Sequence, residues 1–109
     1  ACDTAKGLAA RLSQTENPKY EDNESTFEEL QTRISKTIKF MESVPEASFE
    51  GAETREVILR FGKQETKFIG ADYLSGFATP NFYFHMATVH GILRHNGVEI
   101  GKRDFLGPQ

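Results

Sequence analysis

The amino-acid sequence predicts a mainly α-helical protein with one short β-hairpin set into it. Three observations carry that expectation. Apolar residues recur every three or four positions over 27–41 and again over 71–95, the spacing of a helix face. Between those stretches, Val57, Leu59 and Phe61 alternate with polar neighbours, the period of a half-buried strand. Proline and glycine fall at the joints, at Pro18, Pro45, Gly62 and Gly97, where turns and helix ends need them.

The elements follow in order. Ala1, Ala5, Leu8, Ala9 and Leu12 share one helical face, so the chain opens as the end of an amphipathic helix with small packing residues. Asn17-Pro18 breaks that pattern. In the next helix, Ser25 and Glu28 have the spacing of a capping box, and Glu28 and Glu29 put negative charge at the helix's positive end. Phe27, Leu30, Ile34, Ile38 and Met41 trace its apolar stripe, and Glu29 stands one turn before Arg33. Pro45 stops it, because the residue before a proline is pushed out of the helical region.

A hairpin is expected around residues 55–69, turning at Gly62-Lys63-Gln64. A lone hairpin is marginal in water, so it must lie against helices, either as a structural insert or as a flap over a pocket. From Ala71 to His95 the pattern is helical once more, interrupted at Pro80. The helix either kinks there or ends and restarts with Thr79 as N-cap and Pro80 at the first position. Asn96-Gly97 closes it with a left-handed cap, and the glycine-punctuated tail runs back over the surface.

At 109 residues the chain, 1–109, is one domain or part of one, with room for one modest core. Nine Phe and no Trp make much of that core aromatic. The net charge of −3 argues against nucleic-acid binding, a helix-turn-helix reader included, because phosphate contacts need a concentrated basic surface. No stretch has the length of a membrane span and no signal peptide is visible. Cys2 stands alone, so no internal disulfide forms and a reducing cytoplasmic setting is expected. Its thiol reads as a small packing residue, with a reactive group as the alternative. The helical pattern starts almost at the first residue, so upstream sequence is expected to precede it.

The three histidines, His85, His90 and His95, invite a metal site. At ~100° per residue each five-residue step turns the helix by ~140°, so the rings point to three sides. Two helical ligands to one ion normally stand four apart, and the position four beyond His85 is Val89. No metal and no cofactor is expected. His85 falls within the arc of Phe82, Met86, Val89, Ile92 and Leu93, which leaves two readings. It is a core histidine with both nitrogens satisfied, or a ligand or proton carrier in an internal pocket. His90 and His95 lie off that arc, as surface or interface residues. Ala87 and Gly91 let another helix approach closely, from this chain or from a second subunit.

Asp72-Tyr73 opens the last helical region, where a carboxylate suits the helix dipole. Glu53 and Arg55 flank the first strand as a possible ion pair, and Lys102, Arg103 and Asp104 read as a solvated tail. No Ser-His-Asp set, phosphate loop or Cys/His metal pattern is present.

The stretches "GAETR", "FIGADYL", "PNFYFH" and "ILRHNGVEIGKRDFLG" resemble the signatures of an uncharacterised family of bacterial and fungal proteins, the domain of unknown function numbered nineteen-ninety-three, grouped with the DinB/YfiT-like bundles. "ACDTAKGLAARL" resembles the second half of that family's second helix. The resemblance implies a mainly α, DinB/YfiT-like four-helix bundle of up-down-down-up topology, missing its N-terminal helix, with the hairpin as insert. It implies a homodimer, a swapped oligomer or a need for the absent segment, because an uncovered apolar face needs a partner. DinB-like relatives often bind a divalent metal through three histidines, two of them four apart on a late helix, and some transfer small thiols. His85 matches the first of that pair and Val89 the second, so neither metal nor transferase chemistry carries over. Two functions remain. One is a self-associating bundle with a small molecule held near His85. The other is a divergent transferase or hydrolase using His85 with Asp72, Glu53 or Tyr83 as acid and base.

Overall fold

The computed structural model describes residues 1–109. Five helices and one two-stranded antiparallel sheet follow in the order α1 (Cys2–Ser13), α2 (Phe27–Ser43), β1 (Glu56–Phe61), β2 (Gln64–Ile69), α3 (Gly70–Asp72), α4 (Thr79–His95) and α5 (Lys102–Leu106). Two 3-10 turns, Glu46–Phe49 and Ala52–Thr54, lead from α2 to β1. The mainly helical architecture with a hairpin insert is the expected one. α1 packs on α2 on one side and on the segment leading into α4 on the other.

Helix ends show why the chain folds locally as it does. The capping box of α2 lies one residue later than expected. The Thr26 hydroxyl accepts from Glu29 N at 3.1 Å, and the Glu29 carboxylate accepts from Thr26 N at 3.2 Å. Glu29 also takes Ser25 N at 2.6 Å. Committed to the cap, it does not pair with Arg33. α4 ends in a Schellman motif: Val98 N donates to Leu93 O and Gly97 N to Arg94 O, each at 3.1 Å. Gly97 sits at φ 92°, where a side chain would be strained.

Of the two alternatives for Pro80, the restart with Thr79 as N-cap does not form. The chain stays helical from Gly70 to His95, but Tyr73–Ala78 is a π-helical stretch. A widened turn just before the proline accommodates the hydrogen bond that the ring cannot make. Thr79 is consequently inside the helix and is not an N-cap.

The hairpin register runs from Glu56 opposite Ile69 to Phe61 opposite Gln64, closed by Gly62-Lys63. Val57 and Leu59 are buried, while Phe61 is exposed. The hairpin lies against the π-helical stretch. Phe68 stands 6.0 Å from Tyr73 and 5.7 Å from Phe77, and Tyr73 stacks on Phe77 at 6.1 Å. Leu12, Ala52, Val57, Leu59, Tyr73 and Ala78 form the core. Arg11 donates to the Tyr73 hydroxyl at 3.0 Å, satisfying a phenol that is 1% exposed. Arg55 donates to the carbonyls of Leu12, Ser48 and Glu50, tying the end of α1 to both 3-10 turns. That network replaces the expected Glu53–Arg55 ion pair.

The core therefore occupies one end, where α1, the hairpin and the π-helical stretch converge. Most of α2 and α4 stands outside it. Only 13 of 109 residues are buried, which leaves the α2 stripe from Phe27 to Met41 and most apolar positions of α4 exposed. The tail keeps Lys102, Arg103 and Asp104 exposed, as expected, and adds a short helix. Asp104 accepts from Gly101 N at 2.7 Å and starts α5, and His90 Nε2 lies 3.0 Å from Gly101 O.

Candidate functional site

α1, α2 and α4 share one groove. α1 contributes Ala5 and Leu8, α2 contributes Ile34, Thr37, Ile38 and Met41, and α4 contributes Phe82, Tyr83 and Met86. Its volume is about 480 Å³, and no Asp, Glu, Lys, Arg or His side chain lines it. The polar groups on its wall are few. Thr37 already donates to Arg33 O at 2.8 Å. Phe82, Tyr83 and Met86 also line a second groove of about 280 Å³, which continues along α4 past Val89 and Leu93 to Ile100 and Phe105. The two make one mostly apolar trough beside α4, with His90 and Asp104 on the wall of the second part.

The sequence-predicted site residues do not converge. Tyr83 lines the trough. His85 is exposed rather than turned into a core, its ring edge-on to Phe84 at 5.4 Å. Phe82 and Met86 of the apolar arc face the groove, whereas Ile92 beside His85 is 58% exposed, so a place at the edge of the arc does not bury the ring. Asp72 sits exposed in the three-residue α3 without a capping bond, and Glu53 is exposed in the second 3-10 turn. His90 is held against the tail, edge-on to Phe105 at 5.5 Å. No three His, Cys, Asp or Glu side chains come together where they could hold one ion.

The polar cluster that does form lies elsewhere, where the loop between α1 and α2 is strapped down. Arg33 reaches Asp3 at 3.1 Å, and Asp22 and Glu24 at 3.0 Å. The Tyr20 ring lies under Lys36 at 3.9 Å, Lys6 at 4.9 Å and Arg33 at 5.3 Å. Burial opposes the Asp3 carboxylate, but Lys6 and Arg33 outweigh it and hold its pKa below the ordinary value. Glu24 is lowered by its own backbone N–H and by Arg33, and Glu29 by the N–H groups of Ser25 and Thr26. The Arg33 guanidinium is held charged more firmly than usual, first by Glu24. Sequence spacing missed this cluster because its partners lie up to 30 residues apart.

The family model for the domain of unknown function DUF1993 matches residues 1–106. The chain belongs to this family. The DUF1993 chain is also similar to a solved crystal structure of a DinB family member protein from Shewanella denitrificans, with 43% identity and a TM-score of 0.89. The match covers 99% of this chain and 61% of that one, so this chain spans about three fifths of its relative's length. No curated protein matches the chain.

Proposed function

We propose that this DUF1993 chain is a binding module rather than a catalyst, and that its α1–α2–α4 groove seats an amphipathic helix. The observation that carries the reading is the groove's lining, in which three helices present apolar side chains to one space without a charged side chain. A small-molecule site of this volume normally adds a few convergent polar groups that fix the ligand's orientation, and this one has almost none. A helix needs only apolar walls. From Ala78 to Leu93 the trough follows α4 for about 24 Å at 1.5 Å per residue, some four turns.

A second copy of the chain supplies that helix, and self-association is the result. The resemblance to four-helix bundles supports the same reading, since the groove stands where three helices leave room for a fourth. The reading with His85, Asp72, Glu53 and Tyr83 as an acid–base set gains no support from their separated positions.

Sedimentation and the fluorescence of 8-anilinonaphthalene-1-sulfonate test it. The wild-type chain should form larger species as its concentration rises, and dye enhancement, strong in the dilute chain, should fall as the groove fills. Ile38→Glu, at an exposed groove position, should abolish both without changing the circular dichroism. A wild-type chain that leaves the dye dark and does not respond to Ile38→Glu would overturn the reading.

A further inference from the structure

The chain has four asparagines, and the residue after each decides its chemistry. Asn17 precedes Pro18, whose nitrogen carries no proton. Asn23 and Asn81 precede Glu24 and Phe82, whose side chains crowd their own amide nitrogens. Asn96 alone precedes a glycine. An unshielded glycine nitrogen can reach the side-chain carbonyl carbon before it and close a cyclic imide. Asn96 and Gly97 are both exposed, so water reaches them.

The cap of α4 holds the pair in an unreactive arrangement. Gly97 N donates to Arg94 O at 3.1 Å, so the nitrogen that would attack is tied up with its proton. Asn96 Nδ2 donates to Ile92 O at 2.8 Å, which draws the amide back over the preceding turn and away from Gly97. Val98 N completes the motif on Leu93 O. Little else secures this end. Ile92, Leu93 and Val98 are 58%, 44% and 45% exposed, so the last turn opens at low cost.

We propose that Asn96-Gly97 is a deamidation site gated by the α4 cap, reacting only while the last turn is open. Gly97 N, having given its proton to hydroxide, bonds to Asn96 Cγ. The Cγ–Nδ2 bond breaks, and Nδ2 takes a proton from water and leaves as ammonia. Water then opens one of the two carbon–nitrogen bonds of the imide. Opening at Cγ leaves aspartate, and opening at the main-chain carbonyl leaves isoaspartate, with no change of oxidation state. Neither product rebuilds the cap. Both lose the donor to Ile92 O and put a carboxylate at the negative end of the helix dipole. Isoaspartate also adds a methylene to the backbone, which takes Gly97 N and Val98 N out of step with their carbonyls. The tail starts at this joint. Ile100 and Phe105 line the second groove with Val89 and Leu93, and His90 Nε2 lies 3.0 Å from Gly101 O. Deamidation therefore loosens the tail from α4, irreversibly and whatever the groove holds.

The test follows the wild-type chain in mildly alkaline buffer, folded and in urea, by ammonia release and by peptide mapping of each asparagine. In urea, acid should accumulate at position 96 well ahead of positions 23 and 81. In the folded chain it should accumulate there roughly tenfold more slowly or less. Val98→Pro removes one donor of the cap without touching the reacting pair. It should bring the folded rate to within about threefold of that variant's own rate in urea. Asn96→Gln, whose longer side chain closes an imide far more slowly, should stop the reaction at this position. Asn96→Asp carries the product's charge and should speed amide exchange at Val98 and Gly101. Equal rates folded and in urea, no preference for position 96 in urea, or a Val98→Pro chain as slow as the folded wild type would each overturn the gated site. Unchanged exchange in Asn96→Asp would overturn the loosening of the tail. The comparison of folded and urea-treated wild type stands without any variant.

Discussion

A methyl group added at Gly70 would lie 1.8 Å from the carbonyl oxygen of Ala52 and 3.1 Å from the Leu12 side chain. Backbone cannot yield there as a flexible side chain can. Gly70→Ala is expected to cost roughly 2–3 kcal/mol, at the upper end of overpacking, read as a lower urea midpoint at unchanged slope. Gly76→Ala, with open space around its Cβ, is the control and should cost less than about 0.5 kcal/mol. Gly70 stood in plain view within "FIGADYL", yet its reason was not legible there. The atom it avoids belongs to a 3-10 turn 18 residues earlier, and no local pattern brings the two together. His85 illustrates the opposite failure. Its place on the apolar arc of α4 was legible, but burial depends on a neighbour, and on that side this chain supplies none.

At the scale of elements, periodicity read well wherever an element's own residues determine it. α2, both strands and the stop at Pro45 follow from spacing and turn chemistry. The π-helical stretch before Pro80 did not, because a proline in a helical pattern fits a kink, a break or a widened turn equally well. The strap between α1 and α2 is the element whose chemistry can be titrated. Asp3, Glu24 and Glu29 have folded pKa values below their ordinary 3.8, 4.5 and 4.5. Their contribution is present in full above those values and is lost as pH falls through the lowered ones. The melting temperature should thus be level from pH 7 to about 5 and fall below about 4.5. Arg33→Met should flatten that fall and lower the plateau, because it removes the partner of Asp3, Asp22 and Glu24 together. A melting temperature that stays level to pH 3 would show that the cluster adds nothing. Thr26→Ala tests the neighbouring cap, at about 1 kcal/mol.

For the whole molecule, size and shape tell the same story as burial. A compact domain of this length has a radius of gyration of about 13 Å, whereas this chain has 15.8 Å. The excess reflects helices spread around a space that they do not fill. Stability should then be uneven, because local opening costs least where few apolar contacts are lost. Hydrogen exchange gives the test. Amides of Val57, Leu59 and Tyr73, all 5% exposed or less, should be the most protected. Those of α2 beyond its contact with α1, and of α4 after Met86, should exchange at least tenfold faster while the groove is empty. At concentrations where copies associate, protection should rise first along Ile34–Met41 and Phe82–Met86, the two walls that a docked helix would cover. The Ile38→Glu chain should show no such rise. If α2 is as protected as the hairpin at the lowest concentration that can be measured, its apolar stripe is already covered within a single chain, and the open groove does not describe this protein in solution.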